Sequence, residues 1–226
     1  MPILGYILTA LGAYLLGSIP FGFLVAKAKG IDIRNVGSGN IGATNAMRVL
    51  GKPAGIFVLL MDALKGFGAC FLGVIIYNFY FYQFNGLHSS SDSIPFSSQE
   101  GEEQFAIIAG IAAVLGHNYT CWLKLKGGKG IATMAGVYLA LAWPAVLIAL
   151  GVFILAVLLT KYVSVGSIAG AIALSATVWI IMSQSLFLCI VTTALSVLAI
   201  YKHKSNIQRL MAGTENRLGK KPEATK

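Results

Sequence analysis

The chain has 226 residues, of which 57% are hydrophobic and only 11% are charged, and its mean hydropathy is +0.77. A soluble domain of this length does not need so much apolar surface, so the composition predicts an integral membrane protein. In a soluble chain the net charge of +9 would suggest a nucleic-acid partner. Here the enrichment of Lys and Arg in cytoplasmic loops explains most of it, so we predict contact with membrane lipid and none with nucleic acid.

The hydropathy pattern predicts an all-α bundle of about seven transmembrane helices in a single domain, residues 1–226. A helix needs about 20 residues to cross roughly 30 Å of hydrocarbon. The stretch 130–160 exceeds one crossing, and Trp143-Pro144 divides it into two short helices. The six apolar stretches lie at about 3–26, 53–82, 105–123, 130–160, 163–182 and 185–201.

The distribution of Lys and Arg predicts the orientation of the bundle. Lys129 precedes the divided stretch and Lys161 follows it, so both lie on one side only if the chain crosses twice between them. The connection at about 83–104 contains no Lys or Arg and is predicted to be an outer loop, whereas the basic tail at about 216–226 is cytoplasmic. The N-terminus is then outside and the C-terminus inside.

The first of three polar segments on the inner side, GSGNIGATNAMR, occupies residues 37–48. Its glycines can adopt positive φ and allow successive backbone amides to turn toward one anion. Arg48 adds a planar guanidinium suited to phosphate or carboxylate. The alternative is a hydrated loop with a helix N-cap at Thr44. The candidate binding residues of this segment are Gly37, Ser38, Asn40, Thr44, Asn45 and Arg48.

The second polar segment, KLKGGKGIAT, occupies residues 124–133 and leads into an apolar helix. Backbone amides at a helix N-terminus favour an anion, which Lys129 could also reach. The segment is not a Walker A loop, because Gly130 follows the Lys where that loop has Ser or Thr. Nucleotide binding is therefore not supported. The candidate phosphate-binding residues are Gly127, Gly128, Lys129 and Gly130.

The third polar segment, HKSNIQRLMAGTE, occupies residues 203–215 at the inner end of the last apolar stretch. His203 and Asn206 are three residues apart, so they share one face of a helix and are candidates for positioning a substrate. Glu215 is interpreted as a counter-ion to the basic residues, with a structural role.

Charged residues also occur inside the second apolar stretch. Asp62 and Lys65 are three residues apart and are predicted to form a structural ion pair, because charges at membrane depth rarely lack a partner. His117, just before the second polar segment, is interpreted as a hydrogen-bonded residue at a helix end. A catalytic role for His117 is the alternative.

Together these segments resemble the acyl-phosphate-dependent glycerol-3-phosphate acyltransferases of bacterial membranes. The match includes GSIPFGFLVAK in the first apolar stretch and all three polar segments, in the same order between the spans. The resemblance implies transfer of a fatty acyl group from acyl phosphate to the sn-1 hydroxyl of glycerol 3-phosphate, which yields lysophosphatidic acid and phosphate. It also implies a multi-pass protein of the bacterial cytoplasmic (inner) membrane, with its active site at the cytoplasmic face.

The same resemblance implies roles for individual residues. Ser38 and Arg48 would be essential catalytic residues in the first segment. The KGGKG turn would bind glycerol 3-phosphate, with Lys129 on its phosphate. His203 and Asn206 would be catalytic residues that orient the acceptor.

The residues themselves favour a reaction without a protein general base. Another class of glycerophosphate acyltransferase uses a His with an Asp five positions later, and none of the three histidines here is followed by one. Acyl phosphate is already activated, so binding two anions in line could supply most of the acceleration, with a substrate phosphate taking the proton. The sequence predicts no metal, no cofactor and no obligate protein partner. The competing interpretation is a transporter or channel for a phosphorylated or anionic solute.

Overall fold

The computed structural model describes residues 2–85, 98–183 and 185–219. Every regular element in these ranges is helical, so the predicted all-α class is confirmed. The predicted outer loop at 83–104 and the predicted tail at 216–226 lie partly outside the described residues. The described parts of that loop, 83–85 and 98–104, are helical, so its predicted bounds are too wide. The helices are α1 (Pro2–Ser18), α2 (Phe21–Lys27), α3 (Ala43–Leu50), α4 (Lys52–Asn85), α5 (Ser98–Asn118), α6 (Ile131–Leu141), α7 (Trp143–Thr160), α8 (Val163–Ile181), α9 (Leu186–Lys202) and α10 (Lys204–Met211), with short 3₁₀ turns at Ile33–Asn35 and Cys121–Leu123.

Prolines explain where apolar helices break. Pro20 has no N–H to donate, and it separates α1 from α2. Pro144 lies in the first turn of α7, where the missing N–H costs no helical hydrogen bond. The stretch 130–160 is therefore two helices, α6 and α7, and the predicted division at Trp143-Pro144 is confirmed.

Helix length gives fewer membrane crossings than the seven that the charge pattern predicts. Among the described residues, five helical stretches are long and apolar enough to cross a membrane, and a sixth is added if α9 and α10, bent by 51°, form one broken span. α6 has only 11 residues, or about 16 Å, which is too short for a full crossing. Seven full crossings and the orientation of the termini therefore stay predictions.

The helices pack into two compact units, Met1–Pro20 with Leu60–Leu141 and Phe21–Leu59 with Ala142–Lys226. In the first unit, small residues allow close helix contacts, as is common in membrane proteins. A Cβ at Gly17 of α1 would overlap the backbone of Ala113 in α5, and one at Gly66 of α4 would overlap Thr133 in α6. The first contact joins α1 to α5, and the second holds the start of α6 against α4.

In the second unit, α7 packs on α8 and α8 packs on α9. A polar contact joins the last pair, where the Trp179 Nε1–H donates to Thr193 Oγ1 at 2.9 Å. Beyond α10 the chain returns to the α7–α8 connection, and the Leu218 N–H donates to the Lys161 carbonyl oxygen at 2.8 Å. This return brings the end of the third polar segment to the beginning of α8.

Candidate active site

Asn45 organises the first polar segment, in the second unit. Its side chain is buried, and its Nδ2 group donates to the carbonyl oxygens of Asn40 at 2.9 Å, Val36 at 3.0 Å and Ile33 at 3.3 Å. Its Oδ1 atom accepts from the Ser38 N–H at 2.8 Å. Because the amide is committed to the loop, the structure gives Asn45 a structural role in place of the predicted contact with substrate.

The loop before α3 owes its shape to positive-φ glycines. Gly37 and Gly39 have φ of 63° and 70°, as the sequence predicted. Gly42 is the N-cap of α3, so the alternative N-cap at Thr44 is wrong, and the Thr44 side chain is exposed on the first turn. The Asn40 Oδ1 atom accepts from the Gly42 N–H at 2.8 Å and closes the turn into the helix.

Arg48 is a half-buried cation on α3. One guanidinium nitrogen, Nη1, lies 3.4 Å from the Asn45 Oδ1 atom. In the described part of the chain, Arg48 forms no salt bridge within 4.0 Å. Burial lowers the pKa of Arg48, while the carboxylate of Glu215 opposes this effect. A partly desolvated guanidinium without a direct carboxylate partner is suited to binding an anion.

Glu215 connects α8, α10 and the segment after α10. Its Oε1 atom accepts from Asn206 Nδ2 at 2.7 Å and Ser164 Oγ at 2.9 Å, and its Oε2 atom accepts from Arg209 Nε at 2.7 Å. Although burial alone would raise the pKa of Glu215, these three hydrogen bonds hold it below its usual range. The contacts agree with a structural role for Glu215.

His203 lies at the bend between α9 and α10, and Asn206 lies one turn later. Both side chains are buried, and the Asn206 N–H donates to the His203 carbonyl oxygen at 2.8 Å. The His203 Nδ1 atom is 2.7 Å from the Ala199 carbonyl oxygen. Because a carbonyl only accepts, Nδ1 carries the proton, and Nε2 is then an acceptor in the neutral ring. Asn206 uses its Nδ2 group to hold Glu215.

In the first unit, the KGGKG turn rests on the end of α5. The Gly127 N–H donates to the Asn118 carbonyl oxygen at 3.2 Å, and the Gly128 N–H donates to the His117 carbonyl oxygen at 2.9 Å. The expectation that these two amides face a phosphate is therefore wrong. A Cβ at Gly128 would overlap the His117 imidazole, so this glycine is needed for close approach.

The remaining donors of this segment belong to the start of α6. Gly130 has φ of 84° and lies against the side chain of Asn118, where a Cβ would come within 2.8 Å of Oδ1. The first amides of a helix have no acceptor within that helix, and α6 begins at the next residue. Lys129 is half-buried beside this helix start. The first turn of α6 with Lys129 is thus the better candidate anion site of the segment.

A buried charged cluster lies beneath the same turn. Lys65 Nζ is 2.8 Å from Asp62 Oδ1, so the predicted ion pair is confirmed, and Nζ also donates to the Ile19 carbonyl oxygen at 2.8 Å. His117 Nδ1 is 3.5 Å from the same Asp62 oxygen. Nothing in the residue spacing predicted that His117 joins this pair. Among the described residues, no three His, Cys, Asp or Glu side chains group as a metal site.

Comparison with known proteins identifies the family. The model of the family described as glycerol-3-phosphate acyltransferase matches residues 7–213. A glycerol-3-phosphate acyltransferase of Synechococcus sp. (strain JA-3-3Ab) is 40% identical over 219 residues, which cover 96% of each chain. One of Trichormus variabilis is 43% identical over 212 residues, 92% of this chain and 90% of the relative. The similarity thus extends over nearly the whole chain.

The fold is also that of a solved relative, PlsY (YgiH), an integral membrane glycerol 3-phosphate acyltransferase. Its glycerol 3-phosphate form has a TM-score of 0.78 and 36% identity, with 95% of this chain and 96% of that chain covered. Its lysophosphatidic acid form has a TM-score of 0.75 and 34% identity, with 95% of each chain covered. The chain therefore belongs to the glycerol-3-phosphate acyltransferase family.

Proposed function

We propose that this acyltransferase moves a fatty acyl group from acyl phosphate to the sn-1 hydroxyl of glycerol 3-phosphate. The acceptor oxygen forms an ester bond to the acyl carbon, and the bond from that carbon to the phosphate oxygen breaks. Inorganic phosphate leaves, and the hydroxyl proton passes to a phosphate oxygen. The solved relative has forms with glycerol 3-phosphate and with lysophosphatidic acid, which supports this acceptor and this product.

The observation that carries the proposal is the state of Arg48. Its guanidinium is half-buried, and the nearby Glu215 carboxylate already accepts three hydrogen bonds from other residues. Arg48 therefore retains donors for a substrate anion, and a phosphate matches its planar fork. Desolvation strengthens such a contact, because the local dielectric constant is lower than in water.

We assign the other binding roles to residues of the two polar segments, and their geometry supports this assignment. Lys129 and the first turn of α6 bind the phosphate of glycerol 3-phosphate as a point charge and a set of backbone donors. Gly127 and Gly128 shape that turn. Ser38 contacts substrate through its hydroxyl, since its N–H is committed to Asn45.

The reaction proceeds without a protein general base. His203 donates its Nδ1–H to the Ala199 carbonyl oxygen, so the neutral ring has Nε2 as its acceptor and can orient the acceptor hydroxyl. Asn206 keeps this end of α10 in place through Glu215. The proton is taken by a substrate phosphate, while positioning and charge stabilisation supply the acceleration.

We place the enzyme in the bacterial inner membrane with its active site at the cytoplasmic face. The support is the enrichment of Lys and Arg in the three polar segments and the basic tail. We assign the reaction to this chain alone, without a cofactor or an obligate protein partner.

The test uses the purified full chain in lipid bilayers, supplied with acyl phosphate. We expect phosphate release only when glycerol 3-phosphate is present, with one lysophosphatidic acid formed per phosphate. A transporter for an anionic solute would give solute flux into vesicles without either product. Phosphate release that does not depend on glycerol 3-phosphate would contradict the proposal.

A further inference from the structure

The buried cluster of Asp62, Lys65 and His117 has no part in the chemistry described above. The three residues are 2%, 3% and 5% exposed, respectively. Charged groups within a membrane span are costly, and those that are present usually serve a function. The cluster therefore calls for an explanation beyond the pairing of two charges.

His117 links this cluster to the KGGKG turn. Its backbone carbonyl oxygen accepts from the Gly128 N–H at 2.9 Å, and its imidazole lies directly against the Cα atom of Gly128. The next residue, Asn118, contacts the turn in the same way, through Gly127 and Gly130. The two residues form the platform on which the turn rests, so a rotation of the His117 ring would displace Gly128.

Asp62 is placed to fix that ring. Its Oδ1 atom is 3.5 Å from His117 Nδ1, and its ion pair with Lys65 at 2.8 Å favours the ionised carboxylate. Lys65 is held in turn by the Ile19 carbonyl oxygen at the end of α1. A carboxylate facing Nδ1 favours the tautomer with the proton on Nδ1 and restrains the orientation of the imidazole.

We propose that Asp62 is a positioning residue that holds the His117 ring and thereby sets the position of the Gly127–Gly128 turn, and with it the start of α6 that binds glycerol 3-phosphate. This inference rests on the proposed function of that turn. It assigns Asp62 and His117 to the acceptor site although neither is required to touch substrate.

The first experiment measures both KM values for Asp62→Asn in the phosphate-release assay. Misplacement of a binding loop by about 1 Å has a large kinetic cost, so we expect the KM for glycerol 3-phosphate to rise about tenfold or more. The KM for acyl phosphate should stay within about twofold. Gly73→Ala is the matched control, because Gly73 of α4 packs on Phe105 of α5, the same helix pair, away from the turn. It should lower stability without separating the two KM values.

A double variant distinguishes positioning from simple charge burial. Asp62→Leu/Lys65→Met replaces the ion pair by apolar groups, an exchange that is often neutral for stability or improves it. We expect the KM for glycerol 3-phosphate to remain raised, because His117 still lacks its anchor. A normal KM in the double variant, an equal rise in both KM values, or no change in Asp62→Asn would overturn the inference. If Asp62→Asn does not fold, the double variant decides.

Direct binding keeps this test separate from the test of function. Calorimetric titration of glycerol 3-phosphate into each variant needs no donor and no turnover. Weaker binding in both Asp62 variants than in the wild type and Gly73→Ala supports the positioning role even if acyl transfer were absent. Equal affinity in all four proteins would overturn it, whereas wild-type phosphate release would still support the proposed function.

Discussion

Two glycine-rich loops with similar composition are built in different ways. In the loop before α3, Gly37 and Gly39 adopt positive φ, and the side chain of Asn45 collects the carbonyl oxygens around it. In the KGGKG turn, Gly127 and Gly128 do not have positive φ, and their N–H groups bond to backbone carbonyls at the end of α5.

The difference shows that a glycine cluster does not by itself identify backbone donors for an anion. The first loop is held by hydrogen bonds from the Asn45 side chain, and its cation is the planar guanidinium of Arg48. The second loop is held by hydrogen bonds to the end of α5, and its cation is the point charge of Lys129. Substitutions should therefore fail for different physical reasons in the two loops.

The largest effect is expected from Asn45→Asp. The change removes the Nδ2 donors and directs a buried negative charge at three carbonyl oxygens, which should cost on the order of 3–5 kcal/mol in unfolding free energy. We expect kcat/KM to fall by more than about a hundredfold. Thermal unfolding in detergent and initial rates measure both. The control is Asn40→Ala, which loses one hydrogen bond, to the Gly42 N–H, and should cost far less. Equal losses of stability and of kcat/KM in the two variants would contradict the role of Asn45 in holding the first loop.

Substitutions at Arg48 test whether its planar guanidinium makes a contact that the point charge of a lysine cannot replace. Removing a charge-assisted hydrogen bond costs about 1.5–3 kcal/mol, so Arg48→Ala should lower kcat/KM by about tenfold to over a hundredfold. Arg48→Lys should not restore a bidentate contact. Arg34→Ala is the control, because Arg34 is exposed and bonded to Asp32. Near-normal kinetics for Arg48→Ala, or an equal loss in Arg34→Ala, would contradict the assignment.

Replacing Gly39 and Gly128 by Asn and by Ala tests whether each loop needs glycine for its positive φ or for close contact. Asn tolerates positive φ better than Ala, so Gly39→Asn should retain more activity than Gly39→Ala. At Gly128 the obstacle is overlap with His117, so the Asn variant should be no better than the Ala variant. We expect both Gly128 variants to raise the KM for glycerol 3-phosphate about tenfold, with a smaller change for acyl phosphate. Rescue by Asn at Gly128 would show that φ, not contact, is limiting there.

The smallest effect concerns acid stability beside Arg48. The folded-state pKa of Glu215 lies below its ordinary value of 4.5, so its contribution is present above that pH and is lost as the pH falls through the folded pKa. The stability advantage of the wild type over Glu215→Gln should therefore shrink below pH 4.5. Thermal unfolding of both proteins between pH 7 and pH 3 measures this difference. A stability advantage of the wild type that grows as the pH falls would contradict a lowered pKa of Glu215 in the folded state.

Much of the fold could be predicted because it depends on local properties of the chain. Hydropathy located the helices, and the missing N–H of Pro144 divided 130–160. The spacing of Asp62 and Lys65 on one helical face predicted their ion pair. The length of α6 could not be predicted in this way. The positions of Lys129 and Lys161 indicate how many times the chain crosses between them, but not how long each helix is.

The interior of the site could not be predicted in the same way. In the sequence, Asn45 does not differ from the other polar residues of its loop. Its structural role becomes clear only from its hydrogen bonds to the carbonyl oxygens of Ile33 and Val36. The contact between Gly128 and His117 depends on how the chain turns after α5, and the contact between His117 and Asp62 depends on helix packing. Neither relationship has a signature in residue spacing.

The most direct test of the proposed reaction follows one oxygen atom. Glycerol 3-phosphate labelled with ¹⁸O in its sn-1 hydroxyl is incubated with acyl phosphate and the wild-type protein in bilayers, and the products are analysed by mass spectrometry. We expect the label in the ester of lysophosphatidic acid and none in the released phosphate. Labelled glycerol bisphosphate with free fatty acid, or hydrolysis of acyl phosphate that leaves the labelled glycerol 3-phosphate unchanged, would contradict acyl transfer.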